Sequence, residues 1–201
     1  MRYWLLPSVI AFLGGLPAWA EGPSFDCAQA TSSAEELVCA DPDLAALDRR
    51  LSERFAEAMA AAEGLDAGAD EAAGTLRATQ RGWIGGRDEC WKAEDPAACV
   101  AEAYLTREAE LVALWLLEPP TASGTFICGG TPANELTADF FDTELPGVRV
   151  EYGDSVAAGW LTRAASGSRY ELPFGRVLWL KGEEALFVWP EGTEQECRRA
   201  E

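Results

Sequence analysis

Six cysteines in a chain that holds no histidine set the first limit on what this sequence can fold into. Cys27, Cys39, Cys90 and Cys99 precede a Pro119-Pro120 step; Cys128 and Cys197 follow it. A zinc site would have to rest on cysteine alone, and neither Cys27/Cys39 nor Cys90/Cys99 has zinc-knuckle spacing. Disulfides are the alternative, and they need an oxidising compartment. The N-terminus offers a route to one. Arg2 precedes an apolar stretch from Leu5 to Leu16, and Ala18-Trp19-Ala20 is an A-x-A cleavage pattern, so a secretory signal peptide is expected over 1–20 with Glu21 as the first mature residue. That stretch is short and interrupted by Pro7 and Pro17, whereas a membrane span needs about 20 apolar residues. No cysteine stands at the cleavage point, so no lipid or membrane anchor is expected. The mature protein is expected to be periplasmic or secreted, with three disulfides.

Charge narrows the partners. The full chain carries −18, and it becomes more negative once Arg2 is removed. Nucleic acid and anionic membranes call for a basic surface and are therefore poor partners, while a basic protein would be attracted.

Before the Pro-Pro step the pattern is helical. Ser33-x-x-Glu36 has the form of a capping box opening a short helix to Cys39. Asp41-Pro42 restarts the chain as N-cap and first helical residue, and Leu44, Leu47, Leu51, Phe55 and Met59 then share one face. A second helix is expected from about Glu71 to Cys90, and a third after Asp95-Pro96, ending at Pro119-Pro120. These make an antiparallel three-helix domain over 21–118, stapled by four cysteines because its core is modest. Three pairings are open to the sequence; the local pairs Cys27–Cys39 and Cys90–Cys99 are the expectation. Gln80, Arg87 and Asp88 stand out beside Trp83, most simply as an ion pair and an amide bonded to a neighbouring turn.

Residues 119–124 (PPTASG) read as a linker. Beyond it the apolar period changes to alternation. Thr125–Cys128, Glu135–Phe141, Val148–Tyr152, Val156–Leu161, Arg169–Leu172, Val177–Leu180 and Ala185–Trp189 are candidate strands of an antiparallel barrel or sandwich over 125–201. A Cys128–Cys197 link would close a loop of about 70 residues, worth ~4 kcal/mol in the chain-entropy model. The fold class is therefore α + β in separate domains.

Catalysis is poorly supplied. A serine triad lacks its usual base. A Ser166-Lys181 dyad would also need an oxyanion hole and a pocket, which a small filled barrel hardly offers. No carboxylate pair is singled out for glycoside chemistry. The chain is expected not to be an enzyme and to need no cofactor or metal. A binding role suits it better. Lys181 follows Trp179 and Leu180 at a strand end, and Ser166 sits in the small polar triplet Ser166-Gly167-Ser168. On physical grounds alone a turn serine, and a lysine paired with Glu183 or Glu184, remain the simpler alternative.

Resemblance adds a target. Cys27, Cys39-x-Asp41-Pro42-x-Leu44-Ala45-x-Leu47-Asp48, Gln80-x-x-Trp83, Arg87-Asp88-x-Cys90 and Cys99 with Tyr104 and Arg107 resemble the N-terminal domain of LprI-type lysozyme inhibitors. Ser166-Gly167-x-Arg169-Tyr170 followed by Leu178-Trp179-x-Lys181-Gly182-x-Glu184-Ala185, framed by Cys128 and Cys197, is similar to the MliC/PliC inhibitors of c-type lysozyme. That second resemblance implies a small antiparallel β-barrel. It also implies that Ser166 and Lys181, with Gly167 and Gly182 of the same motifs, enter the lysozyme cleft and meet its catalytic carboxylates. Arg169 and Tyr170 would shape the first loop. The stretch Glu171 to Gly175 (ELPFG) makes the segment between the motifs longer than the family pattern. The expected function is an exported inhibitor of c-type lysozyme; the alternatives are an envelope binding module with another protein or glycan target, or a cell-wall hydrolase.

Overall fold

The computed structural model describes residues 22–189 and 193–200; the expected signal peptide lies outside them. A helical region precedes a closed antiparallel barrel.

The helical region contains α1 (Ser33–Ala40), α2 (Pro42–Glu63), α3 (Ala69–Asp88) and α4 (Pro96–Trp115). The capping box sits one residue earlier than expected. Ser32, not Ser33, is the N-cap, and the Glu35 carboxylate accepts from the Ser32 and Thr31 backbone N–H groups at 3.2 and 2.7 Å. The doubled Ser-Ser and Glu-Glu pairs make both registers legible; the structure uses the first. Those backbone bonds, Thr31 first, outweigh partial burial and hold the Glu35 carboxyl below the usual glutamate range. Asp41 and Asp95 cap α2 and α4 through their side chains, each ahead of a proline at the first turn. Helix α4 stops at Trp115, ahead of the prolines, because Leu116 adopts φ 51. The disulfides join Cys27 to Cys39, Cys90 to Cys99 and Cys128 to Cys197.

Several of the polar residues that carry the helical resemblance are taken up by contacts inside the domain. Asp48 (7% exposed) accepts from the Tyr104 hydroxyl at 2.8 Å and the Ser24 N–H at 2.6 Å. Arg87 (5% exposed) donates to Tyr104 at 2.9 Å and to Asp88 at 2.7 Å, and its guanidinium lies 5.6 Å from the Trp83 ring. Gln80 accepts from Arg107 at 3.0 Å, a bond to another helix and not to a turn. Buried charges are tolerated only when paired and hydrogen-bonded, so Asp48 and Arg87 serve as internal scaffold. Burial pushes the Tyr104 phenol well up, with Arg87 opposing.

The barrel is an eight-stranded meander: β1 (Ala122–Cys128), β2 (Glu135–Phe141), β3 (Gly147–Tyr152), β4 (Ser155–Thr162), β5 (Ser168–Leu172), β6 (Arg176–Lys181), β7 (Glu184–Val188) and β8 (Glu194–Arg199). Phe126, Leu136, Val148, Val150, Leu178 and Phe187 fill it. Strand β8 is one more than the sequence suggests. Its residues EQECRR bury only Cys197, so no apolar alternation announces it. It nevertheless pairs with both β7 and β1, and Cys128 faces Cys197 across the closing pair. Closure of this kind leaves no free edge. Strand β1 begins at Ala122, inside the expected linker.

The two regions are packed together. One face of α4 (Val100, Tyr104, Leu111) joins the helical core, and another (Val112, Ala113) packs on Phe141 and Ala158 of the barrel. Approach is close because small residues face each other: a Cβ on Gly147 would lie 3.1 Å from the Ala109 carbonyl oxygen. Glu108, only 5% exposed, accepts from Arg50 at 2.8 Å, and Arg50 also reaches Glu144 on the β2–β3 loop at 2.8 Å. A helix buried on two sides does not present the single apolar stripe of a surface helix.

Candidate lysozyme-binding site

In a meander the connections alternate between the two barrel ends. The chain's entry into β1, the β2–β3 loop, the β4–β5 loop and the β6–β7 turn therefore share one end. Ser166 lies in the β4–β5 loop and Lys181 ends β6, so the expected pair is brought together there, and both side chains are exposed. The β5–β6 ladder runs without a slip from Ser168↔Leu180 to Leu172↔Arg176. The longer segment ELPFG makes its turn at Pro173–Gly175, at the opposite end of the barrel. Its length therefore has no effect on how Ser166 and Lys181 stand relative to each other.

Gly167 explains how the first loop reaches the second. It adopts φ 68, a conformation costly for a residue with a Cβ. An added Cβ would lie 2.0 Å from the Leu180 carbonyl oxygen and 3.4 Å from Lys181 Cγ. The loop backbone thus rests directly on the end of β6. Gly182 also has φ 68, but nothing lies within 4 Å of where its Cβ would be. Its role is the two-residue turn between Lys181 and Glu184, which needs positive φ at its first position.

The ammonium of Lys181 stands 3.6 Å from the centroid of the Trp179 ring. Its cross-strand partner Glu184 is engaged by Arg198 at 3.5 Å. Among the described residues Lys181 has no ion pair, so the bland expectation of pairing with Glu183 or Glu184 is not what the structure contains. Beside it, a groove of about 750 Å³ opens on the outer face of the sheet, with Ile127 and Leu186 among its lining and Glu184, Glu196 and Arg198 around them.

The other two expected residues support the site from different sides. Arg169 pairs with Glu171 and donates to Thr162 at 3.2 Å, which ties β4 to β5 beneath the loop. Tyr170 is 7% exposed and packs inside the barrel with its ring 5.6 Å from Phe140; burial raises its phenol pKa. It braces the loop from within and has no face to offer a partner. The sequence motif includes Trp179 without marking it as a site residue. The W-x-K spacing carried the signal, since residues two apart on a strand share a face.

The structure thus joins a disulfide-stapled helical region to a closed barrel that carries a serine loop and a lysine turn at one rim. Residues 126–196 match the family described as membrane-bound lysozyme-inhibitor of c-type lysozyme, and residues 27–111 match the family described as lysozyme inhibitor LprI. Lipoprotein LprI of Mycobacterium tuberculosis and of Mycobacterium bovis is 34% identical over 153 residues, covering 74% of this chain and 71% of the relative. An uncharacterized protein of Rhizobium meliloti is 35% identical over 117 residues, 47% of this chain and 82% of its own. The chain belongs to the LprI family of lysozyme inhibitors. Both matching families are inhibitors, not enzymes.

Proposed function

We propose that this protein inhibits a c-type lysozyme by seating the Ser166 and Lys181 end of its barrel in the lysozyme cleft. The observation that carries this reading is the shared rim: Gly167 resting on Leu180 keeps Ser166 next to Lys181, which is exposed and, among the described residues, has no carboxylate paired with its ammonium. Glycoside hydrolysis by such enzymes needs one carboxyl to protonate the leaving oxygen and a second to face the sugar. A lysine ammonium set between them holds a proton donor where the acid must act, and the loops exclude the substrate. The acidic charge of the chain suits a basic enzyme and makes association sensitive to salt. The expected signal peptide and the disulfides fit action in the periplasm or outside the cell.

The test is lysis of a bacterial suspension by a purified c-type lysozyme with stoichiometric protein added. Lysis should stop, and Lys181→Ala and Ser166→Ala should each restore it in part. Unchanged lysis with the wild-type protein would refute the function. Inhibition indifferent to both substitutions would refute the mechanism and favour another contact surface.

A further inference from the structure

The two rim loops meet on one indole. Trp179 Nε1 donates to the Ser166 carbonyl at 2.8 Å, while the ring of the same residue carries the Lys181 ammonium at 3.6 Å. Trp179 projects from the outer face of β6, between the cross-strand neighbours Arg169 on β5 and Leu186 on β7. It is absent from the barrel core, so filling the interior does not account for it.

We propose that Trp179 is the positioning residue of the inhibitory site, setting the places of Ser166 and Lys181 before a partner arrives. The proposal rests on the reading of this rim as the lysozyme-binding end. A free lysine on a flexible four-carbon stem samples many rotamers, and ordering it on binding opposes association. An aromatic face attracts the ammonium and restricts it in advance. The indole N–H does the same for the other loop through a backbone oxygen, so its hold does not depend on the serine hydroxyl. One side chain thereby couples the two segments that flank the β5–β6 hairpin. Gly167 permits the close approach, and Trp179 locks it.

Trp179→Leu removes both holds; Trp179→Phe keeps the ring and removes the N–H. Inhibition of a purified c-type lysozyme is measured for both, alone and in a Lys181→Ala background, together with the NMR shifts of the Lys181 ε-methylene protons. Trp179→Leu should weaken inhibition about tenfold and abolish the upfield ring-current shift of those protons while the fold is retained. In the Lys181→Ala background the same change should cost no more than about threefold, the share left to the Ser166 loop. Trp179→Phe should keep the shifted lysine signals and lose about threefold in inhibition. It serves as the informative variant should the leucine protein fold poorly. Wild-type inhibition retained by Trp179→Leu, or lysine signals unshifted in the wild type, overturns the proposal alone. A wild-type protein that leaves lysis unchanged overturns the inhibitor reading and this proposal with it.

Discussion

Replacing Gly167 by alanine separates close backbone contact from backbone conformation, because Gly182 supplies a matched control. Both residues have φ 68. Placing alanine there costs about 1–2 kcal/mol at either position. At Gly182 the added methyl meets nothing within 4 Å. At Gly167 it meets a backbone carbonyl oxygen at 2.0 Å, which no rotamer change can relieve. The loop has to lift from β6, and the Trp179–Ser166 hydrogen bond at 2.8 Å goes with it, a further ~0.5–1.5 kcal/mol. Gly167→Ala should thus cost roughly 1.5–3.5 kcal/mol against ~1–2 for Gly182→Ala. At about 2–4 °C per kcal/mol for a chain of this size, the first lowers Tm by roughly 3–14 °C. Thermal melts followed by circular dichroism measure this, with lysozyme inhibition assayed in parallel. Inhibition should fall far more for Gly167→Ala than its stability loss explains, since Ser166 is displaced. Equal melting temperatures for the two variants, with inhibition intact, would refute the packing of the loop on Leu180.

Other consequences test the rest of the molecule. Glu108→Gln leaves Arg50 and Arg54 without their shared buried carboxylate; because Arg50 is partly solvated, the expected loss is about 2 kcal/mol in urea unfolding, less than for a fully buried pair, and a wild-type midpoint would show that the interface does not need the charge. Replacing Cys128 and Cys197 together by alanine should lower barrel stability by ~4 kcal/mol through the chain entropy regained on unfolding, and an unchanged denaturant midpoint would count against that closure. Tyr104 has its pKa raised by burial, so its stabilising contribution is complete below the ordinary tyrosine value of 10.0 and is lost as the pH climbs above it. Alkaline unfolding should flatten in Tyr104→Phe, leaving the smaller slope due to Tyr170; an identical slope in the variant would contradict the assignment.

Much of this molecule was legible locally. Asp-Pro starts, the apolar faces of the long helices, the change of period after the prolines and the cysteine positions all act through near neighbours in sequence. The two rim motifs were likewise visible, because each is a short run of adjacent residues. Strand β8 was not: a strand that buries one side chain carries almost no period-two signal, and it exists because β1 and β7 supply partners on both sides. The α4–barrel contact also escaped notice, since Ala109, Ala113, Gly147 and Ala158 are small residues whose value lies in what they let approach.

Composition and motif order by themselves therefore determined an α region followed by a β region and six cysteines placed for disulfides, while the pairing of the first four stayed open and Ser166 and Lys181 became candidates through the family resemblance. Only the tertiary structure decided that those two residues share a rim. A hairpin register counts pairs from the turn, so the extra residues at Pro173–Gly175 add length at the far end and leave Ser168 opposite Leu180. It also separated Tyr170, turned inward, from Trp179, turned outward beneath the lysine. Side-chain facing on a strand alternates with every residue, and which face is the interior is settled only when the barrel closes.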